Sequence, residues 1–566
     1  MRIWTGRAGS GKTTAILREI AALSEKGEGR QILLVPELNS HLMERRLAAA
    51  THNHGARTAE VLTFSRLADR VFSEVGGLAQ QMLTPAGQLL TLQEAARRVQ
   101  GGLSAWKGLA DKPELLQEAL RLIDECKTCA VAPETLFAAA EESEDAVLAE
   151  KLSDLAQILT AYERLCEESL PDPRDRLTHL RDRLAESHTL DGAAVYLDGF
   201  LGFTVQESAV VDAMLAAGVP LSAAVTCDTD YPEIFLTGCK TVQKLTRMAK
   251  HHNQTVERIE LGESKVARPA GLAALERESL LPVRTPQESA DGVRLYEAAS
   301  PFDECEHAAA YIRRKVRDEG ARCRDFVVAA RDIEPYSAFL AMAMARYDIP
   351  VFLAEKPDLL SRPPMALVTN ALEAVRNHFR YEDLFSCLKT GLAGLDWDEI
   401  DKLENYVLTW NIRGGAWERE WTEHPDGYGL SIDENAKAQL AELNTLRKRA
   451  IAPFSALREA LAGEQPAGDC VRALYAFLLA VDAPQRMTDR AAGHEQAGRL
   501  QLADEYRQLW EILVSAMEQF AWVCGDMPLT LDRFAQLFRL VLGEYDVGTI
   551  PVSLDRVTCG NIERAC

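Results

Sequence analysis

Short apolar runs divided by polar turns open the chain: Arg2-Ile3-Trp4-Thr5, Gln31-Ile32-Leu33-Leu34-Val35, Val61-Leu62-Thr63-Phe64, Val195-Tyr196-Leu197 and Ala223-Ala224-Val225-Thr226. Strands covered on both faces have this form, so the pattern predicts a parallel sheet crossed over by helices. Between the third and fourth runs the period becomes helical, and Leu148, Leu152, Leu155, Leu159, Tyr162 and Cys166 recur at steps of four and three on one face. Residues 1–75 and 190–265 are therefore expected to form one α/β domain, with 76–189 as a helical insertion. Residues 266–290 hold Pro269, Pro282 and Pro286 without periodicity and read as a linker.

A second α/β region is expected over 291–380 and 541–566, with strands at Val293-Arg294-Leu295-Tyr296, at Phe326-Val327-Val328-Ala329-Ala330 and near Val552 to Val557. A helix from Glu304 to Val316 joins the first two. Residues 381–540 are a second helical insertion, with Leu502, Tyr506, Leu509, Leu513 and Phe520 on one stripe. The fold class is thus α/β, with two sheet domains, each interrupted by helices.

Composition narrows the class. A chain of 566 residues holds about three to five domains. It has no apolar run near the length of a membrane span and no secretory leader, so a cytoplasmic location without membrane partners is expected. The 12 cysteines are scattered, as reduced thiols are in large intracellular proteins. Net charge is 63 − 85 = −22, which argues against general attraction to nucleic acid. The first 100 residues carry 13 Lys or Arg against 9 Asp or Glu. Any nucleic-acid contact is expected there.

Gly6-Arg7-Ala8-Gly9-Ser10-Gly11-Lys12-Thr13 fits the phosphate-loop pattern G-x-x-x-x-G-K-[ST] in full. A chance match in such a chain is on the order of one in a hundred. A strand precedes it and a helix follows, so backbone N–H groups at the helix start would face the phosphates of ATP. Lys12 would reach the β- and γ-phosphates, and Thr13 would ligate Mg²⁺. The metal also needs an acid at a later strand end, and Asp198 after Val195-Tyr196-Leu197 supplies it. Gly199 follows, where a helicase carries its catalytic glutamate. The plain alternatives are a glycine-rich turn before an ordinary helix and a turn role for Asp198.

Several phrases together resemble one family, the B component of the bacterial AddAB (RexAB) helicase–nuclease. They are Thr5 to Thr13, Val35-Pro36-Glu37, Val61 to Leu67, Asp198-Gly199-Phe200 with Phe203-Thr204 and Gln206-Glu207, Leu388-Lys389-Thr390-Gly391-Leu392, and Leu403-Glu404-Asn405-Tyr406-Val407. The resemblance implies a superfamily-one helicase-like fold of two RecA-like domains, each with a helical insertion, the second incomplete here. It implies a heterodimer with an AddA-like motor subunit that processes double- and single-stranded DNA at breaks for recombinational repair and surveys it for Chi. Thr63, Phe64, Ser65 and Arg66 would then lie along single-stranded DNA, hydroxyls and guanidinium on phosphates and the aromatic against a base, with a core role as the plain alternative for Phe64 and a structural one for Arg66. The full-length family adds a nuclease domain and a 4Fe-4S cluster, both expected to be missing from this chain.

Departures accompany the likeness. No glutamine stands upstream of the loop to read adenine, and Cys227-Asp228-Thr229-Asp230-Tyr231 has tyrosine where active motors carry the glutamine of Gly-Asp-x-x-Gln. Val35-Pro36-Glu37-Leu38 lacks a glutamine common after this glutamate, and Asp555-Arg556-Val557 has arginine where glutamine is frequent. A degenerate motor with little turnover is expected.

Other constellations read as structural. Cys126 and Cys129 form C-x-x-C without a second pair, which argues against zinc. His52 with His54 and His251 with His252 read as surface residues, and Cys559 with Cys566 lacks a cluster's four thiolates. Glu263-Ser264-Lys265 is the one passing nuclease-like fragment and reads as a solvated turn. Competing readings are a self-sufficient phosphate-loop kinase, which leaves the insertions without a use, and a scaffold with a relict loop.

Overall fold

The computed structural model describes residues 1–51, 58–262, 266–278, 289–353, 359–545 and 555–562. The chain divides into two compact units. The first comprises Met1–Met82, Gly102–Trp106 and Glu118–Leu295; the second comprises Leu83–Gly101, Lys107–Gln117 and Tyr296–Cys566.

The first unit is built on a six-stranded sheet of β1 (Arg2–Gly6), β2 (Arg30–Leu34), β3 (Ala59–Leu62), β4 (Ala193–Leu197), β5 (Leu221–Thr226) and β6 (Glu257–Glu260), in the order β3-β2-β4-β5-β1-β6. Every pairing is parallel, and β1 runs beside β5 with Arg2 opposite Ser222 and Gly6 opposite Thr226. Strand pleating sends alternate residues to opposite faces. Ile3, Ile32, Leu34, Val195, Leu197, Ala223 and Val225 enter one core. Trp4, Leu33, Tyr196 and Ala224 enter another with Ile16, Leu17 and Ile20 of α1 (Lys12–Lys26) and Met43 and Leu47 of α2 (Ser40–Ala50). Burial on both faces explains why these strands read as continuous apolar runs.

The third run is shorter than its sequence suggests. β3 ends at Leu62 and α3 (Phe64–Val75) begins two residues later, because the Thr63 hydroxyl accepts the Arg66 backbone N–H at 3.2 Å and caps the helix. In the helix Ala146–Glu168, Leu155, Leu159, Tyr162 and Cys166 of the expected stripe are buried, whereas Leu148 is exposed. The expected linker contains a helix at Ala270–Glu278; residues 279–288 lie outside the described residues.

The second unit holds a parallel three-stranded sheet of β7 (Val327–Ala330), β8 (Val351–Leu353) and β9 (Val557–Asn561), in the order β7-β9-β8. Helices Pro301–Glu319 and Glu334–Arg346 contribute Cys305, Ala309, Ile312, Leu340 and Met344 to its core. Val293 to Tyr296 is not a strand, correcting the sequence expectation: Leu295 is fully exposed and Tyr296 stacks on His307 at 3.5 Å between ring centroids. An apolar run becomes a strand only with a ladder partner, and the sheet instead contains β8, which the pattern missed. A larger helical core contains Phe379, Trp417, Phe454, Phe520, Phe534 and Phe538, joined by Ala86 and Leu90. Leu509, Leu513 and Phe520 of the second stripe are buried there, while Leu502 is exposed.

Candidate functional site

The loop from Gly6 to Thr13 turns sharply between β1 and α1. Gly9 (φ +78°) and Gly11 (φ +95°) occupy the left-handed region that L side chains disfavour. At Gly6 a Cβ would lie 2.6 Å from the Ser10 Oγ and 2.7 Å from the Leu261 carbonyl oxygen, so only glycine fits. Gly11 stands at the N-cap and offers no side chain to cap the helix, which leaves the first N–H groups of α1 directed at the loop with the positive end of the helix behind them. The Ser10 hydroxyl is buried without a hydrogen-bond partner among the described residues. Lys12 donates its Nζ to the carbonyl oxygens of Gly6 at 2.8 Å and Arg7 at 2.9 Å.

Asp198 follows β4 and is buried, its backbone N–H held by the Leu34 carbonyl at 3.1 Å. The Thr13 hydroxyl lies near enough to its carboxylate to favour the charged form. Burial pushes the Asp198 carboxyl above the usual carboxylate range against the opposing pull of the Thr13 hydroxyl, the Gly199 N–H and the Lys12 charge. Burial likewise lowers Lys12, with Asp198 pulling the other way. Gly199 has φ +82°, and a Cβ there would lie 3.3 Å from Asn39 Nδ2 and 3.4 Å from Pro36 Cδ. The orphaned Ser10 hydroxyl, the uncapped helix start and the Thr13–Asp198 pair suit a phosphate chain and its Mg²⁺.

A further contact ties the loop to β5. Arg7 donates Nε to Asp228 Oδ2 at 2.5 Å, and its guanidinium lies 5.0 Å from the Tyr231 ring centroid. Cys227 donates its backbone N–H to Gly6 at 3.4 Å. Sequence reading singled out Asp228 and Tyr231 as part of a departed motif but not as partners of Arg7. It also missed Arg46, whose charge acts on Asp198; more than 150 positions separate the two, so no local signal joined them.

Of the expected DNA residues, Thr63 and Phe64 are buried. Phe64 meets Phe200 edge-on at 5.6 Å, and Phe200 meets Phe203 at 5.0 Å. Ser65 and Arg66 are exposed, with Arg66 Nη1 on Glu44 Oε1 at 2.6 Å. His252, which had no partner nearby in sequence, meets Asp212 at 2.9 Å. Cys129 is exposed and Cys126 half-buried. Among the described residues no group of three or more His, Cys, Asp or Glu is arranged to hold a metal, and no helix is long and apolar enough to cross a membrane. His52, His54, Glu263 to Lys265 and Cys566 lie outside the described residues.

Fold and site define an α/β protein whose parallel sheet sends its first strand through a G-x-x-x-x-G-K-T loop into a helix, opposite a buried aspartate. Residues 3–276 match the family model described as ADDB, N-terminal. Proteins named as the B component of an ATP-dependent helicase/deoxyribonuclease align with the whole chain: that of Acetivibrio thermocellus is 32% identical and covered over 51% of its length, that of Desulforamulus reducens 32% and 51%, and that of Clostridioides difficile 30% and 50%. The chain belongs to the AddB family. It spans about half the length of the curated relatives it matches.

Proposed function

We propose that this chain binds MgATP in the Gly6–Thr13 loop and acts as the B component of a heterodimeric ATP-dependent helicase–nuclease working on DNA ends, with an AddA-like protein as its motor. The observation carrying the reading is the complete Gly6–Thr13 loop, with its uncapped helix start and unpartnered buried Ser10 hydroxyl, beside a buried Asp198 that is followed by Gly199. In this reading the two sheets belong to RecA-like domains with helical insertions, and the chain scans single-stranded DNA for Chi.

Lys12 and the N–H groups of the loop would hold the phosphates, and Thr13 and Asp198 the Mg²⁺. Bound MgATP supplies a phosphoanhydride and a metal-bridged charge. Lys12 would exchange its two backbone carbonyl partners for phosphate oxygens, which would compensate its burial. Asp198, if committed to the metal beside Thr13, would not be free to act as a base, and Gly199 offers no carboxylate to orient water. Loss of a water-positioning group costs orders of magnitude in phosphoryl transfer.

The test is ATP turnover by the purified chain with and without single-stranded DNA. Turnover far below 1 s⁻¹, rising only on addition of the AddA-like partner, is expected; DNA-stimulated turnover of about 10 s⁻¹ by this chain alone would overturn the reading.

A further inference from the structure

Two thiols meet beside the loop. Cys227, directly after β5, and Cys239, in the helix Leu236–His251, have their sulfurs 2.9 Å apart. Their backbones leave little room to separate. The Cys227 N–H is held by Gly6, and the helix abuts β5 so closely that a Cβ at Gly238 would fall onto the Thr226 carbonyl oxygen. A disulfide needs its sulfurs at about 2.05 Å, a closure of under an ångström from this arrangement.

We propose that Cys227 and Cys239 are an oxidisable pair, closed to a disulfide by hydrogen peroxide and reopened by thiol reductants. Cys239 is the more accessible sulfur, since Cys227 is buried. Burial also pushes the Cys227 thiol up to about 12, so it is the slower nucleophile. The Cys239 thiolate attacks peroxide: an S–O bond forms, the O–O bond breaks and hydroxide leaves as water. The Cys227 sulfur then attacks the Cys239 sulfenic acid, forming the S–S bond and breaking the S–O bond, and its proton leaves with the second water. Two thiols and one peroxide become one disulfide and two waters.

The bond would close the segment from Asp228 to Gly238 into a ring at the point where Asp228 holds Arg7. The pairing requires no nucleotide, so it stands or falls separately from the function proposed above.

The experiment treats the reduced full chain carrying Cys129→Ser, which removes an exposed competing thiol, with dilute peroxide, then alkylates it and digests it with a protease cutting after Glu233. Cleavage there separates Cys227 from Cys239 unless they are bonded. The expected result is one linked peptide pair accounting for most oxidised protein, absent in Cys239→Ser and reversed by dithiothreitol. Alkylation of both residues after peroxide, or conversion of Cys239 to sulfinic acid without a linked pair, would overturn it. Because the decisive signal comes from the chain with both cysteines intact, misfolding of Cys239→Ser leaves the test valid.

Discussion

Arg7 of the Gly6–Thr13 loop and Asp228 beyond β5 form a partly buried ion pair at 2.5 Å, with the Tyr231 ring beneath the guanidinium. The two loops stand at the ends of neighbouring strands, so this pair joins the loop after β1 to the Cys227–Tyr231 segment after β5. Side-chain exposures of 25% and 15% place it between a surface pair and a buried one. A double-mutant cycle of Arg7→Ala and Asp228→Ala in urea unfolding should give a coupling of about 1 kcal/mol. Strictly additive variants would show the contact to be incidental.

Asp198 carries a pH signature. Its carboxyl is raised by burial, so just above the ordinary carboxylate range the folded chain keeps a proton that the unfolded chain has released. Stability from this group therefore falls as pH rises through that window. Asp198→Asn should remove the slope, melt at least as high as wild type at neutral pH, and weaken Mg²⁺-dependent nucleotide binding about tenfold or more. Thermal melts from pH 4 to 7 and a Mg²⁺ titration check both halves.

Under the proposed function, Gly199 is the position at which a glutamate would be added to test for restored turnover. The positive φ and the proximity of Asn39 and Pro36 oppose it. Gly199→Glu should cost about 1–2 kcal/mol in stability and leave ATP turnover unchanged. A large gain in turnover would place the catalytic deficit at this side chain alone.

The α3 corner allows packing and the proposed DNA contact to be tested separately. Phe64→Ala should destabilise the first unit by about 3–5 kcal/mol, because the ring is packed against Phe200. Arg66→Ala should leave stability within about 0.5 kcal/mol. It should also weaken single-stranded DNA binding and reduce its salt slope by roughly one, as loss of a phosphate contact does. Fluorescence anisotropy across a salt series distinguishes the two; an unchanged slope in Arg66→Ala would remove this residue from the interface.

Much of this was legible in sequence. The central strands of the first sheet stood out because both their faces are buried, and the loop stood out because glycine is forced at Gly6, Gly9 and Gly11 by close approach or positive φ. Asp198 was singled out by its strand-end position, and the structure shows it buried there. The errors lie where tertiary partners decide. Val293 to Tyr296 has strand chemistry but no ladder, and Thr63 ends a strand because its hydroxyl caps a helix. The Arg7–Asp228 and Cys227–Cys239 contacts depend on the β1–β5 pairing and on a helix packed at Gly238, neither of which leaves a local pattern.

The most direct measurement is calorimetric titration of the chain with MgATP, in wild type and in Lys12→Ala. Lys12 donates to the loop carbonyls of Gly6 and Arg7 and to no distant element through these two bonds, so its removal should spare the fold. Saturable one-to-one binding in wild type and none in a normally melting Lys12→Ala is the expected result. Equal affinity in the two proteins, or no binding by wild type, would contradict the assignment of the Gly6–Thr13 loop as a nucleotide site.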